Sequence, residues 1–102
     1  MITDEEIKEL MQRRRRQILV NSCIYYRFGK SITTDEQFDG WAYELADLQK
    51  RYPDLAIQCG EFNEEFKDWT GESGYQLPLW GNWAERQAQW LMEYAEEKGL
   101  LL

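Results

Sequence analysis

The chain has 102 residues, 43% of them hydrophobic, and a net charge of −7 from 19 acidic and 12 basic side chains. This size and composition predict one folded domain over residues 1–102 and exclude a disordered chain, and five Trp, six Tyr and four Phe residues are available to fill a small core. The acidic charge disfavours direct DNA binding, and the absence of His excludes histidine-based acid–base catalysis and the usual zinc sites, so we expect no metal.

The first predicted element is a helix over residues 4–28. Thr3 with Glu6 forms a capping box ahead of an acidic first turn, an apolar stripe follows, and Gly29 is typical of a helix end. The pattern does not distinguish one continuous helix from two helices that break near Asn21–Ser22.

A run of four arginines, Arg13–Arg16, lies inside this helix. Four consecutive helical residues point in four directions, so they cannot all contact one ligand. Glu9 precedes Arg13 by four positions, in the orientation that favours an ion pair. The run could be a phosphate or nucleic-acid patch, but the charge pattern favours a solvated turn that neutralises nearby acidic residues. We interpret it as surface.

No targeting or membrane segment is predicted. The N-terminal residues are acidic and amphipathic, and no apolar run approaches the roughly 20 residues that a membrane span needs. We therefore expect a cytoplasmic protein without membrane contact. Cys23 and Cys59 are enough for one disulfide, but we expect reduced thiols in this compartment.

A second helix is predicted over residues 35–51, capped by Thr33 or Thr34. Its apolar residues recur at helical spacing, and Tyr52-Pro53 closes it because the residue before proline is disfavoured in a helix.

The second half of the chain predicts two further helices. Residues 61–69 carry three aromatic side chains at i, i+4 and i+7, and a last helix is expected to begin at a cap pair of Asn82 with Glu85 and to end at Gly99. No convincing strand pattern occurs, so the sequence predicts an all-α fold, a small bundle of about four helices. The loop between the last two helices is marked by Gly71, Gly74 and Pro78.

Aromatic and acidic residues meet where the first helix ends and the second begins. Asp35 and Asp39 are four positions apart and share one helix face, close to Phe38 and to the pair Tyr25 and Tyr26. Ring faces attract a cation, while carboxylates balance its charge and bond ribose hydroxyls. The set therefore suits a flat, positively charged aromatic ligand such as oxidised nicotinamide, although the same residues could be core aromatics and solvated carboxylates.

The order of residues within 25–55 carries a further signal, in the segments Tyr25-Tyr26, Ser31-Ile32, Asp35-Glu36, Phe38-Asp39, Glu44-Leu45, Leu48 and Tyr52-Pro53-Asp54-Leu55. This order resembles the N-terminal helical subdomain of bacterial NAD-dependent DNA ligases. In that family the subdomain captures the nicotinamide mononucleotide half of NAD, while a separate domain takes the adenylate.

The resemblance assigns a role to each of the five site residues. It implies that Tyr25 and Tyr26 contact or stack on the nicotinamide, and that Asp35 and Asp39 hold the ribose and the charge of the ring. Phe38 takes the place of a family tyrosine and lacks its hydroxyl, so one polar contact is missing.

The chain also departs from the family. Thr34 stands where a proline is common, the spacing from Ile32 to Asp35 is one residue longer, and the likeness covers about a third of the chain. The nucleotidyl-transfer motif Lys-x-Asp-Gly is absent, as are the zinc-finger cysteines and the DNA-binding repeats. We therefore expect a protein that is not an enzyme.

Two functions remain open. The first is a stand-alone module that binds nicotinamide mononucleotide or NAD without turnover. The second is an acidic protein-interaction module, in which the ligase-like hairpin of residues 1–55 is a scaffold and the Trp-rich extension of residues 56–102 docks on a protein partner. Such an accessory protein would suit a phage or mobile element that interferes with host machinery. Filling the core is the more ordinary role for the Trp residues.

Overall fold

The computed structural model describes residues 2–72, 77, 79 and 81–102, apart from the side chain of Asn82. The described residues form helices and no strand, which confirms the predicted all-α fold. Two of the five described helices are short, so the long helices number three. The helices in chain order are α1 (Asp4–Phe28), α2 (Asp35–Arg51), α3 (Pro53–Gln58), α4 (Asn63–Phe66) and α5 (Asn82–Lys98).

Helix α1 is one continuous helix with the predicted ends. The Glu6 backbone N–H donates to Thr3 Oγ1 at 3.2 Å, and Gly29 ends the helix in the left-handed conformation with φ 65°. The helix does not break in its second half, where the Asn21 side-chain amide donates to the Gln17 carbonyl at 2.8 Å within the same helix.

Helix α2 has the predicted bounds and passes directly into a helix that the sequence pattern did not predict. Thr34 is the cap, and its Oγ1 accepts from the Gln37 backbone N–H at 3.1 Å. Tyr52 ends α2, and Pro53 then begins α3. Proline is favoured at the first position of a helix because an N–H there would have no partner in the helix.

Helix α4 is shorter than predicted. Only one turn of the predicted range 61–69 is helical, because Phe62 adopts the left-handed conformation with φ 59° and cannot continue a helix. The Trp69 N–H closes a tight turn on the Phe66 carbonyl at 3.1 Å. The three aromatic residues at i, i+4 and i+7 therefore lie on a short helix and the turns around it, not on one longer helix.

Helix α5 ends at Gly99 as predicted, with φ 71°, but it begins differently. Gly81 is the cap residue, and its carbonyl already accepts the helical hydrogen bond from the Glu85 N–H at 3.0 Å. Asn82 is thus the first helical residue, and the predicted Asn82–Glu85 cap pair is wrong. In the preceding loop Gly71 is described, whereas Gly74 and Pro78 lie outside the described residues, as does Trp80.

Helix α1 is central and contacts α2, α3 and α5. One cluster of buried side chains joins residues from both halves of the chain. Among the described helices, none has the length and apolar character to cross a lipid bilayer. The buried cluster contains Ile7, Met11, Ile18, Leu19, Val20, Cys23, Ile24, Ala42, Leu45, Cys59, Phe66, Leu77, Leu79, Ala84 and Ala88.

Both cysteines belong to this cluster as free, buried thiols. Burial raises the pKa of the Cys23 thiol and that of Cys59 because the thiolate would lose its hydration. The expectation of reduced thiols agrees with this geometry.

Candidate functional site

The end of α1 lies beside the start of α2, because the chain reverses direction within residues 29–34. Gly29, in the left-handed conformation, begins the reversal, and Thr34 ends it as the N-cap of α2. The backbone N–H of Leu102, at the end of the sequence, donates to the Ser31 carbonyl at 2.8 Å and so holds the connection between α1 and α2.

A cavity with a volume of about 200 Å³ lies in this junction. The structure brings around it all five residues that the sequence analysis singles out, namely Tyr25, Tyr26, Asp35, Phe38 and Asp39. The same cavity is also lined by Asn21, Ser22, Ser31, Ile32, Thr33, Thr34 and Glu72. We call it the junction cavity.

Its aromatic side chains are positioned in two ways. Tyr25 and Tyr26 follow one another at the end of α1 and meet edge to face, with ring centroids 5.0 Å apart and planes at 77°. Their exposed fractions are 56% and 42%, so much of both rings is open to solvent. Phe38 instead packs against the core and is half-buried, which anchors this side of the cavity. Packing between the two helices therefore explains the position of Phe38 better than it explains Tyr25 and Tyr26.

The junction cavity is acidic. Asp35 is the first residue of α2, where the helix dipole favours a carboxylate, and Asp39 follows one turn later. Three of the described residues that line the cavity are acidic and none is basic. No group of three or more acidic or thiol side chains among the described residues is placed to hold a metal ion.

The third carboxylate, Glu72, was missed by the sequence analysis. It comes from the segment after α4, which folds back onto α2: the Trp69 indole N–H donates to the Ala42 carbonyl at 2.9 Å. Gly71 then passes close to Tyr43, where an added Cβ would lie 2.6 Å from the ring, in a backbone conformation of φ +90°. The glycine itself signals a turn in the sequence, but nothing in the sequence signals where that turn packs.

Ser22 was also missed as a site residue. It is the one buried residue among the described residues that line the cavity, with 1% of its surface exposed. Its Oγ has no hydrogen-bond partner within the described part of the chain. The signal was available, because Ser22 precedes Tyr25 and Tyr26 by three and four positions and so shares their helix face.

The arginine run is not entirely the solvated surface turn that its charge pattern predicts. Arg15 is 1% exposed and makes five hydrogen bonds, so the interpretation as surface is wrong for this residue. Its guanidinium donates twice to Gln49 Oε1, at 2.8 and 3.0 Å, and once each to Asn63 Oδ1 and to the carbonyls of Ala56 and Glu61. Burial lowers the pKa of Arg15 because it disfavours the charged form. We call these five residues the arginine site.

The other three arginines each pair with a carboxylate. Arg13 contacts Glu9 at 2.7 Å, which confirms the predicted ion pair. Each of these three guanidinium groups therefore has a carboxylate partner within the chain. The remaining pairs are Arg14 with Glu44 at 2.6 Å and Arg16 with Glu61 at 2.7 Å.

A second exposed aromatic pair lies on α5. Trp90 is 63% exposed and Tyr94 is 44% exposed, and their rings stack with centroids 5.7 Å apart and planes at 12°. The other described Trp residues are half-buried, so filling the core explains them better than it explains Trp90. Those half-buried residues are Trp41, Trp69 and Trp83.

Comparison with known proteins gives one partial similarity. The chain matches no protein-family model, and no solved structure matches it. Over 51 residues, which is half of this chain, it is 35% identical to a DNA ligase of Pseudothermotoga lettingae. The chain spans only 8% of the length of that ligase. Half of the chain is therefore similar to a small part of a DNA ligase.

Proposed function

We propose that this chain binds the nicotinamide mononucleotide part of NAD in the junction cavity, without turnover. One observation carries the proposal: all five residues that a ligase-like subdomain would use line a single cavity. The partial similarity to a DNA ligase agrees with the resemblance from which the roles of these residues were taken. In this proposal α1 and α2 correspond to the N-terminal helical subdomain of bacterial NAD-dependent ligases.

The chemistry of the cavity favours the oxidised ring. The exposed faces of Tyr25 and Tyr26 attract a flat cation, and Asp35, Asp39 and Glu72 balance its charge. The reduced dihydronicotinamide ring is neutral and loses this attraction. Binding without turnover follows from the absence of a Lys-x-Asp-Gly motif from the 102 residues.

The size of the cavity limits how much of the nucleotide it encloses. Pockets for drug-sized ligands measure about 300–1,000 Å³, whereas the junction cavity measures about 200 Å³. We expect it to take the nicotinamide ring and part of the ribose, with the phosphate in solvent, where it also avoids the three carboxylates. Nicotinamide riboside should then bind about as well as nicotinamide mononucleotide.

A titration followed by backbone amide chemical shifts tests the proposal. Oxidised nicotinamide mononucleotide should shift resonances of Tyr25, Tyr26 and residues 35–39, and the reduced form should shift them less at equal concentration. Asp35→Asn should weaken binding by about tenfold or more, because hydrogen bonds to a charged group are worth about 1.5–3 kcal/mol.

Glu36→Gln is the matched control for Asp35→Asn. Both residues are exposed acids in the first turn of α2, but only Asp35 lines the cavity. The control should bind like the wild type. An unchanged spectrum of the wild type at millimolar nicotinamide mononucleotide would refute nucleotide binding.

A second candidate function is a protein-interaction module, which the exposed stack of Trp90 and Tyr94 favours. Exposed Trp and Tyr side chains are typical anchors of protein interfaces, and the net charge of −7 favours a partner with a basic surface. In this alternative the ligase-like hairpin is a scaffold, and a phage or mobile element is a fitting source.

Site-specific photo-crosslinking tests this alternative. A crosslinker in place of the exposed Gln89, used in the cells that make the protein, should trap one defined partner. Trp90→Ala should abolish the adduct, while Tyr43→Ala, which removes an exposed aromatic residue on α2, should keep it. Adducts that are indifferent to Trp90→Ala would contradict an interface on α5.

A further inference from the structure

Ser22 is an unusual residue for its place in α1. Buried hydroxyl groups are nearly always hydrogen-bonded, because an unpaired polar group loses its hydration and gains nothing in return. In a helix, a serine hydroxyl commonly bonds back to the carbonyl four residues earlier. Neither that bond nor any other is made by Ser22 Oγ within the described residues, although the side chain is 99% buried. Within the described part of the chain this hydroxyl is therefore unsatisfied.

The position of Ser22 connects this hydroxyl to the junction cavity. The residue lines the cavity one helical turn before Tyr25 and Tyr26, and it is the buried member of the described lining. Its neighbour Asn21 also lines the cavity, and one N–H of its side-chain amide donates to the Gln17 carbonyl. Ser22 is thus the buried polar residue of the described cavity lining, and its Oγ has no partner among the described residues.

We propose that Ser22 is a specificity residue, whose hydroxyl hydrogen-bonds an amide substituent on the ring of the bound aromatic cation. This inference rests on the proposed function and names the residue that selects the ligand. A hydroxyl can donate to an amide carbonyl and accept from an amide N–H, so either orientation of the substituent satisfies it. The tyrosines and carboxylates recognise a flat cation of any kind, whereas Ser22 recognises an amide-bearing one.

Two small cations separate these contributions. The probes are 1-methylnicotinamide, which carries the amide, and N-methylpyridinium, which has the same charged ring without it. The wild type should bind 1-methylnicotinamide about three- to tenfold more tightly, the range expected of one ordinary hydrogen bond. The Ser22→Ala variant should bind both probes with the affinity that the wild type has for N-methylpyridinium. Dissociation constants come from chemical-shift titrations of the Tyr25 and Tyr26 amides.

Ser31→Ala is the matched control. Ser31 also lines the cavity, but it is only half-buried and water can reach that side of the chain, so the preference for the amide should survive. A second readout is thermal unfolding without ligand. Ser22→Ala should leave the melting temperature equal to that of the wild type or raise it, because it removes an unsatisfied polar atom.

The outcomes distinguish this inference from the proposed function. If both probes bind the wild type equally, or if the preference persists in Ser22→Ala, Ser22 is not the selecting residue, and the cavity still binds aromatic cations. A lower melting temperature for Ser22→Ala would show that the hydroxyl has a structural partner, such as a buried water, and would overturn the inference. If neither probe nor nicotinamide mononucleotide binds the wild type, the proposed function and the inference fail together.

Discussion

Two polar regions on α1 are built in opposite ways. At the arginine site, Arg15 is buried and every hydrogen bond goes to a residue of the same chain. At the junction cavity, seven residues further along the helix, Ser22 is equally buried but unpartnered among the described residues, beside exposed Tyr25 and Tyr26. Arg15 thus has a structural role, whereas the proposed function would give Ser22 Oγ its hydrogen-bond partner in the ligand.

Arg15→Ala should have the largest effect on stability of any change discussed. It removes five hydrogen bonds and leaves the acceptor atoms of Gln49 and Asn63 and two backbone carbonyls without their donor. It also leaves a space that the alanine side chain does not fill. We expect a loss of about 3–5 kcal/mol in the free energy of unfolding, a large part of the 5–15 kcal/mol typical of a small domain. Urea unfolding measures it.

Arg13→Ala is the control within the same run of sequence. Its side chain is 56% exposed and pairs only with Glu9, so removing it should change stability by about 0.5 kcal/mol or less. Arg15→Met adds a second comparison, because it keeps much of the volume but none of the donors, and it should recover only part of the loss. Equal effects of Arg15→Ala and Arg13→Ala would remove the distinction between the arginine site and the surface.

How far the sequence predicts these regions follows from the range of the interactions. Helix ends depend on neighbours within four residues, so the cap at Thr3 and the stops at Gly29 and Gly99 could be predicted, and the cap of α2 was narrowed to Thr33 or Thr34. The five cavity residues also lie close in sequence, on either side of one short connection.

Arg15 and Glu72 were misjudged or missed because their surroundings depend on distant parts of the chain. Arg15 is buried because parts of α2, of α3 and of the segment that leads into α4 fold over it, at separations of 34 to 48 positions. A run of four arginines gives no sign of which one is covered. Glu72 reaches the cavity because Trp69 and Gly71 pack on α2. Such contacts are set by tertiary packing, which local patterns do not encode.

Gly71→Ala tests the packing that brings Glu72 to the cavity. An alanine there would adopt a φ of +90° and place its Cβ 2.6 Å from the Tyr43 ring, so we expect a loss of about 1–2 kcal/mol. The strain should also displace Glu72 and weaken binding of nicotinamide mononucleotide. Gly40→Ala is the control: Gly40 lies inside α2 with nothing near its added Cβ, and alanine should stabilise by about 0.5–1 kcal/mol. Equal stability of both variants would contradict the observed approach to Tyr43.

Glu61→Gln probes the rim of the arginine site, where the effect should be small and dependent on pH. Hydrogen bonds from Arg16 lower the pKa of the Glu61 carboxyl, so its stabilising contribution is complete above the unfolded pKa and is lost as the pH falls through the folded pKa. The carboxylate is 44% exposed, and solvent screening limits the contribution to a few tenths of a kcal/mol. The variant should be less stable than the wild type near neutral pH, and the difference should vanish as the pH falls through the lowered pKa of Glu61 in the folded state. A difference that grows on acidification would contradict the ion pair.

Asp39→Asn should have the smallest effect on stability, and of the opposite sign. Asp35 and Asp39 lie four positions apart on α2 with like charges, which destabilises a helix by about 0.2–0.5 kcal/mol, and the substitution relieves it. Urea unfolding at low salt should show a slight gain that fades at high salt, while binding of nicotinamide mononucleotide weakens. Substituting a residue that supports the fold lowers the stability of the protein, whereas substituting a residue that only contacts a ligand lowers the affinity alone. A loss of more than about 1 kcal/mol in the free energy of unfolding would show that Asp39, like Arg15, has a structural role. It would then not count as one of the two α2 carboxylates assigned to the ligand.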